Sequence, residues 1–374
     1  MNVEKNVVAT KRKLSIFVFV LNIVACFAVV ILHTTLPVYS PWNSWRWVEM
    51  VALQAASIFA VPAFFMISGM NLLGYRDRYS TKVFFRKRLW KTGRAFILGS
   101  LFCYLIFCLF PHSFYGASSF QNTFGIFDFF KRFLGNQIND TYWFFYSIIY
   151  LYLIVPILSY IVNSKHTLQY TIVLLFAISI GIPFVERFGV GSVYFSWLFD
   201  WPFFSSVPLL YFCLGYYLNR YVPIFRYQMM TAILLYLFGT ISMLVLGLWS
   251  NGYHKASGLN IHYDSYFVGM SSPFCVIQAV AIFLLFKSLE RRLQNISQTT
   301  LRFLKAVSGA TLGVYLFHIL VIDWLGSNVS TQNTVMTHPL LRAVLVYVVT
   351  AVAVIVAKRC IVWVKHLALY RTDK

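Results

Sequence analysis

Apolar runs long enough to cross a bilayer recur along the whole chain. A hydrocarbon core of about 30 Å takes roughly 20 helical residues, and ten stretches meet or approach that length: Leu14 to Leu36, Val51 to Leu73, Ala95 to Pro111, Tyr142 to Asn163, Thr167 to Phe184, Phe203 to Asn219, Met229 to Trp249, Tyr266 to Phe286, Val307 to Leu325 and Leu340 to Val364. The third and sixth are the shortest, and the aromatic-rich stretch Ser192 to Pro208 also reads as a re-entrant or interfacial piece. No linker, low-complexity tract or repeat interrupts the alternation. The pattern predicts an all-α polytopic bundle of about ten transmembrane helices. It forms one integral membrane domain over residues 1–374, with short tails at about 1–13 and 365–374.

Composition agrees with a bilayer as solvent. Of 374 residues 59% are hydrophobic, 19% aromatic and only 11% charged, against roughly 25% charged in soluble domains, and mean hydropathy is +0.70. Lys11, Arg12 and Lys13 precede the first span as they would a secretory signal, but the many later spans make it a retained helix.

Ten crossings put both termini on one side, and the basic residues say which. With the termini and even-numbered connections in the cytoplasm, 25 of the 31 Lys and Arg lie inside, whereas 7 of the 11 acids lie outside. The net charge of +20 is therefore a topology signal. Spread over six membrane-flanking segments, it argues against a nucleic-acid surface. The six cysteines show neither CxxC pairs nor metal-ligand spacing and read as buried thiols, without disulfides or zinc. The external stretches His112 to Thr141 and Ser250 to Ser265 mix aromatic and polar residues, which suits a sugar or headgroup surface, although an interfacial aromatic belt is the commoner cause of such a mixture.

Within this apolar background three features stand out. "VACFAVVILHTT" places His33 near the external end of the first span, where an ionisable group is costly and points to function; a histidine bonded to a neighbour or headgroup is the structural alternative. Its imidazole can take a proton from a hydroxyl or be acylated itself. Asn22 lies eleven residues earlier on the same helical face, about 16 Å away in depth. "YSTKVFFRKRLWKTGR" crowds Arg86, Lys87, Arg88, Lys91 and Arg94 at the cytoplasmic start of the third span. That cluster suits an anion with several phosphates and also an ordinary positive-inside anchor. "SGATLGVYLFHIL" brings a second intramembrane imidazole, His318. No carboxylate lies at i−4 or i+4 of either histidine, so an orienting acid would come from Glu49, Asp200 or Asp323.

In this order the pieces resemble the acyltransferase-3 family of bacterial membrane O-acyltransferases. "LNIVACFAVVILHTT" is similar to its first helix, "VPAFFMISGMNLL" with Ser68 and Gly69 to its second, "FFRKRLWK" to its third. "YWFFYSIIYLYLIVPIL", beginning near Trp143, and "GVYLFH", containing Tyr315, complete the set. Each motif is short and apolar; the ordered set, spanning most of the chain, carries the resemblance. The likeness extends to the branch that O-acetylates envelope glycans, of the enterobacterial common antigen type. It implies an acetyl-CoA donor on the cytoplasmic side of the bacterial inner membrane, no metal, and transfer to a hydroxyl of an envelope polysaccharide or lipid-linked precursor. His33 matches the catalytic histidine, as general base or transient acyl carrier. Arg88 and Lys91 match the basic pair expected to hold CoA phosphates, with Arg86 and Arg94 as neighbours. Asn22 stands where the family commonly has Arg or Lys, and is retained as a donor contact. His318, Tyr315, Ser68 and Trp143 are expected at an interior polar site. The alternatives are a transporter or flippase of a lipid-linked sugar or small solute, and a degenerate member without activity.

Overall fold

A computed structural model describes residues 15–188, 207–254, 258–260 and 262–372, with side chains to residue 364. Every regular element among the described residues is helical. The principal helices are α1 (Phe17–Thr34), α2 (Trp45–Ser57), α3 (Ala60–Leu72), α4 (Lys91–Leu109), α5 (Ile126–Leu134) and α6 (Trp143–Ile161), followed by α7 (Lys165–Phe176), α8 (Val207–Tyr221), α9 (Gln228–Ser250), α10 (Pro273–Ser288), α11 (Gln298–Asn328) and α12 (Pro339–Thr372). Among the described residues eight helical segments are long and apolar enough to cross a membrane, and α10 is a shorter apolar helix. Outward faces of α9 and α12 carry Leu234, Phe238, Ile241, Val348, Val352 and Val356, all exposed; only a bilayer hides an apolar surface of that extent. The chain is a multi-pass membrane protein.

α1 is central, packed against α2, α3, α10, α11 and α12. It runs parallel to α11, since Phe17 N–H donates to the Glu290 carboxylate (2.9 Å) before α11 begins and His33 meets His318 further along. Residues of the basic connections gather at one end. Lys287 Nζ donates to the carbonyls of Leu218 (2.7 Å) and Val222 (2.6 Å), Arg76 to that of Pro156 (3.1 Å), and Lys165 lies over the Tyr221 ring. At the other end Tyr115 N–H donates to the Asp323 carbonyl (3.0 Å) and Arg342 to that of Thr34.

α3 and α8 pack backbone to backbone. A Cβ on Gly69 would fall 1.8 Å from the Phe212 carbonyl oxygen, and one on Gly215 2.0 Å from that of Met66. The small-residue pair lets two helices approach where lipid offers no hydrophobic drive to association.

Several boundaries differ from the hydropathy pattern for identifiable reasons. The second span is two helices broken at Ile58 and Phe59, because Pro62 supplies no N–H and its ring clashes with the carbonyl four residues back. Beside the break, the Ala55 and Ala56 carbonyls accept from Gln278 Nε2 and Tyr236 O–H, both at 2.8 Å. The third span starts earlier, as a helix from Thr81 whose π turn, Arg86–Trp90, runs into α4. The span expected from Tyr266 becomes helical only at Pro273, at N1 of α10. The preceding irregular backbone lines a cavity at Val268, Gly269 and Met270, the circumstance in which non-helical chain is tolerated at depth. Residues 192–206 of the aromatic stretch, Asp200 among them, lie outside the described residues. Cys26, Cys103, Cys213 and Cys275 are buried, Cys108 is partly so, and Cys360 is exposed on α12, so the expectation of buried thiols fails for that one on the apolar outer face.

The stretch between α4 and α6 turns back into the bundle. α5 lays Phe129 on Tyr104 (5.5 Å between rings) and Phe133 on Phe96 (5.0 Å). The next turn sends the Tyr142 hydroxyl to the Leu316 carbonyl at 2.8 Å.

Candidate active site

The site forms along the α1–α11 seam. Positions 22, 26 and 33 of α1 meet 308, 311 and 318 of α11, a repeat of about 3.5 residues that keeps one face of each helix on its partner. Asn22 Nδ2 donates to Ser308 Oγ (3.4 Å), Cys26 Sγ to the Thr311 carbonyl (3.7 Å), and His33 Nδ1 lies 2.8 Å from His318 Nε2. Asn22 and His33 therefore share a face, as their spacing predicts.

The hydrogen bonds determine the tautomers. His318, wholly buried, directs Nδ1 at the carbonyls of Val314 (3.0 Å) and Tyr315 (2.9 Å). Carbonyls only accept, so Nδ1 of His318 carries the proton, and in the neutral ring Nε2 presents a lone pair. His33 Nδ1 must then donate to it, leaving His33 Nε2 without a proton and able to accept one. The expected carboxylate is replaced by a second imidazole: among the described residues neither Glu49 nor Asp323 hydrogen-bonds to the pair.

His33 lines a cavity of about 240 Å³ with Tyr39, Gln54, Trp143, Ser265 and Met270. Gln54 Nε2 donates to the Leu32 carbonyl and to Thr35 Oγ1, both at 2.8 Å, which ties down the end of α1 beside the imidazole. α11 continues ten residues past His318, the partner of His33, to Asn328, about 15 Å of rise.

A second chamber of about 150 Å³ lies towards the basic end, lined by Asn22, Ser68, Thr92, Tyr152 and Thr311 among apolar neighbours, and none of its lining residues is charged. Tyr315 lines both chambers. Its ring packs on Phe144 (5.0 Å), Phe145 (5.3 Å) and His318 (5.9 Å), and its hydroxyl donates to the Thr141 carbonyl (3.1 Å). One aromatic side chain, held at its tip, thus borders both spaces.

The basic cluster divides. Arg88 lies within electrostatic reach of Tyr152, whose hydroxyl stands beside Ser68 and Thr92 at the inner chamber. Lys91 stands near Lys358, which donates to the Gly309 carbonyl. Arg86 and Arg94 line a separate apolar groove. Among the described residues none of the four makes an ion pair. Four unpartnered cations at one end leave room for an anionic ligand, and neutral hydroxyls and an amide inside suit an uncharged chain.

A family model described as an acyltransferase domain matches residues 18–359. The chain belongs to the acyltransferase-3 family. No curated protein and no solved structure matches it. It is a membrane acyltransferase, which requires an acyl donor and an acceptor.

In this acyltransferase the sequence-predicted positions sort by chamber. His33 and Trp143 fall on the outer one, Asn22 and Ser68 on the inner one, and Tyr315 on both; His318 stands behind His33. Tyr39, Gln54, Ser265, Thr92, Tyr152 and Thr311 were not anticipated. Gln54 alone had a signal, as an amide in an otherwise apolar run; the rest are residue types common at any helix surface.

Proposed function

We propose that the protein moves an acetyl group from acetyl-CoA, held at the basic and cytoplasmic end, to a hydroxyl of an envelope glycan or its lipid-linked precursor in the His33 chamber. The membrane would be the bacterial inner membrane, and the branch that of the enterobacterial common antigen type. The reading rests on one observation: the His33 imidazole borders a cavity, and its Nδ1 lies 2.8 Å from a second imidazole.

Acetyl-CoA, when bound, supplies an activated acyl carbonyl. Among the described residues Arg88 and Lys91 have no counter-ion, and they suit its phosphates. The inner chamber, with Asn22, Ser68 and Thr92, suits the amide-bearing arm. His33 Nε2 accepts the acceptor hydroxyl's proton as the oxygen attacks the carbonyl. The Nδ1–H bond to His318 holds the ring in place while positive charge develops on it, and His33 returns the proton to the departing sulfur. The same bare nitrogen is the atom that would carry the acetyl group in a two-step transfer. Tyr39, Trp143 and Ser265 give the outer cavity the aromatic and hydroxyl surface that sugars use.

The test is transfer of label from acetyl-CoA to envelope glycan by the purified full chain. His33→Ala is expected to abolish transfer while membrane abundance is unchanged; an unimpaired His33→Ala protein would overturn the assignment. Transport of a solute without bond chemistry has no need of CoA, so loss of CoA binding in Arg88→Gln and Lys91→Gln separates the two readings.

A further inference from the structure

A cavity larger than both chambers, among the described residues, is not part of either. It is a groove of about 1000 Å³ on the outside of the bundle, lined by Trp90, Gly93, Ile97 and Leu98, by Tyr146 and Ile149 of α6, and by Leu134 at the end of α5. Its walls are apolar and exposed: Trp90 is 66% accessible, Leu98 57% and Leu134 75%. A Cβ on Gly93 would meet nothing within 4 Å, so the missing side chain deepens the floor. Two charged residues line it, Arg86 and Arg94. Neither makes an ion pair among the described residues.

Unpaired guanidiniums beside hydrocarbon are costly and are relieved by an anion or by reaching for the interface. Arg86 and Arg94 are eight residues apart, about 12 Å of helical rise, so two long side chains can approach one headgroup from both sides. The occupant must bring apolar chains to the walls and negative charge to the basic end. A soluble nucleotide lacks the chains, and an apolar transmembrane helix brings no negative charge to the two guanidiniums.

We infer that this groove is a binding site for one anionic glycerophospholipid, its phosphate held by Arg86 and Arg94 and its acyl chains lying along Trp90, Ile97, Leu98 and Ile149. Basic pockets between transmembrane helices recognise lipid headgroups in this way. The two arginines then have a partner distinct from the acyl donor, which would meet Arg88 and Lys91.

The experiment uses the purified full chain, delipidated in detergent and titrated with dioleoylphosphatidylglycerol, dioleoylphosphatidylcholine or undecaprenyl phosphate, with retained lipid counted by native mass spectrometry. Phosphatidylglycerol should be retained roughly tenfold or more over phosphatidylcholine, the scale set by two interfacial basic residues. The double variant Arg86→Gln, Arg94→Gln should lose that preference. Gly93→Leu fills the floor with a better helix former, so the fold is kept, and should lower retention with both arginines intact. Equal retention of the two phospholipids, a preference that survives the double variant, or unchanged retention in Gly93→Leu would overturn the site. Retention of undecaprenyl phosphate in place of phosphatidylglycerol would assign the groove to a carrier lipid and overturn it equally. The readout is lipid mass, so it stands or falls separately from acetyl transfer.

Discussion

His33 Nδ1 and His318 Nε2 lie 2.8 Å apart, and the other nitrogen of His318 is committed to two backbone carbonyls. One ring thereby fixes the proton position of the other. His318 is a positioning residue, and His318→Ala should lower kcat about 100-fold, the lower end of what a well-placed general base contributes, with KM for the acyl donor little changed. His318→Gln, whose side-chain oxygen can accept from Nδ1–H, should recover part of that loss. Nitrogen chemical shifts of labelled histidine report the tautomers directly: wild type should show His33 protonated at Nδ1 and bare at Nε2. The opposite tautomer on His33 would remove the argument for its basicity.

Tyr315 borders both chambers. Removing only the hydroxyl, in Tyr315→Phe, leaves the ring and forfeits one buried hydrogen bond, a loss of about 1 kcal/mol visible as a lowered Tm. Tyr315→Ala should join the cavities and raise acceptor-independent hydrolysis of the acyl donor, because water in the outer space gains access to the inner one. Hydrolysis that stays at the wild-type rate in Tyr315→Ala would mean that another side chain holds them apart.

Gly69 and Gly215 face carbonyl oxygens of the opposing helix at distances no Cβ tolerates. Gly69→Ala or Gly215→Ala should each destabilise by about 3 kcal/mol or more, at the upper end of overpacking, because the obstacle is backbone and cannot rotate away. Gly309→Ala, where a Cβ meets open space, is the control. Size-exclusion profiles of detergent extracts should show loss of the monodisperse peak in the first two and not in the third.

These residues also mark how far the sequence is legible. Hydropathy places the spans because a bilayer demands long apolar helices, and helical periodicity puts Asn22 and His33 on one face because α1 is regular. The family motifs identify His33, but nothing in the spacing of "GVYLFH" says that His318 is its partner; parallel packing of two helices far apart in sequence decides that. Arg86, Arg88, Lys91 and Arg94 look like one cluster in the sequence. A π turn and the positions of α5 and α6 set Arg86 and Arg94 on a groove that Arg88 and Lys91 do not line. Pro62 and Pro273 were visible as residues, yet whether a proline breaks, kinks or starts a helix in lipid depends on which neighbours satisfy the freed backbone.

α5 is fastened by Asp128. Burial pushes its carboxyl up, but hydrogen bonds from Arg132 (2.8 Å) and Tyr104 (3.0 Å) and the guanidinium charge outweigh this and hold it below the ordinary value of 3.8. A depressed native value means the stabilisation is complete above the unfolded value and is lost as pH falls through the native one. Asp128→Asn should cost about 1 kcal/mol at neutral pH, a partly exposed pair being screened. Difference melts of the two proteins should converge as pH drops below 3.8; a constant gap across that range would locate the effect elsewhere.

Asn22, where the resemblance leads one to expect a cation, lies in a chamber whose lining carries no charge. Its amide meets Ser308 only at 3.4 Å, which leaves hydrogen-bonding capacity for a neutral amide of the donor arm. Asn22→Ala should therefore raise KM for the acyl donor roughly three- to tenfold, the worth of one buried neutral hydrogen bond, with kcat nearly unchanged, since the imidazole lies eleven residues further along α1. Asn22→Arg introduces a cation with no counter-ion among Phe64, Phe144 and Phe145, a placement that is costly at depth. Lower Tm and no gain in rate are the expected outcome. A rate that rises in Asn22→Arg would instead mark this chain as a family member whose donor site has been impaired, and would overturn the view that Asn22 is a working donor contact.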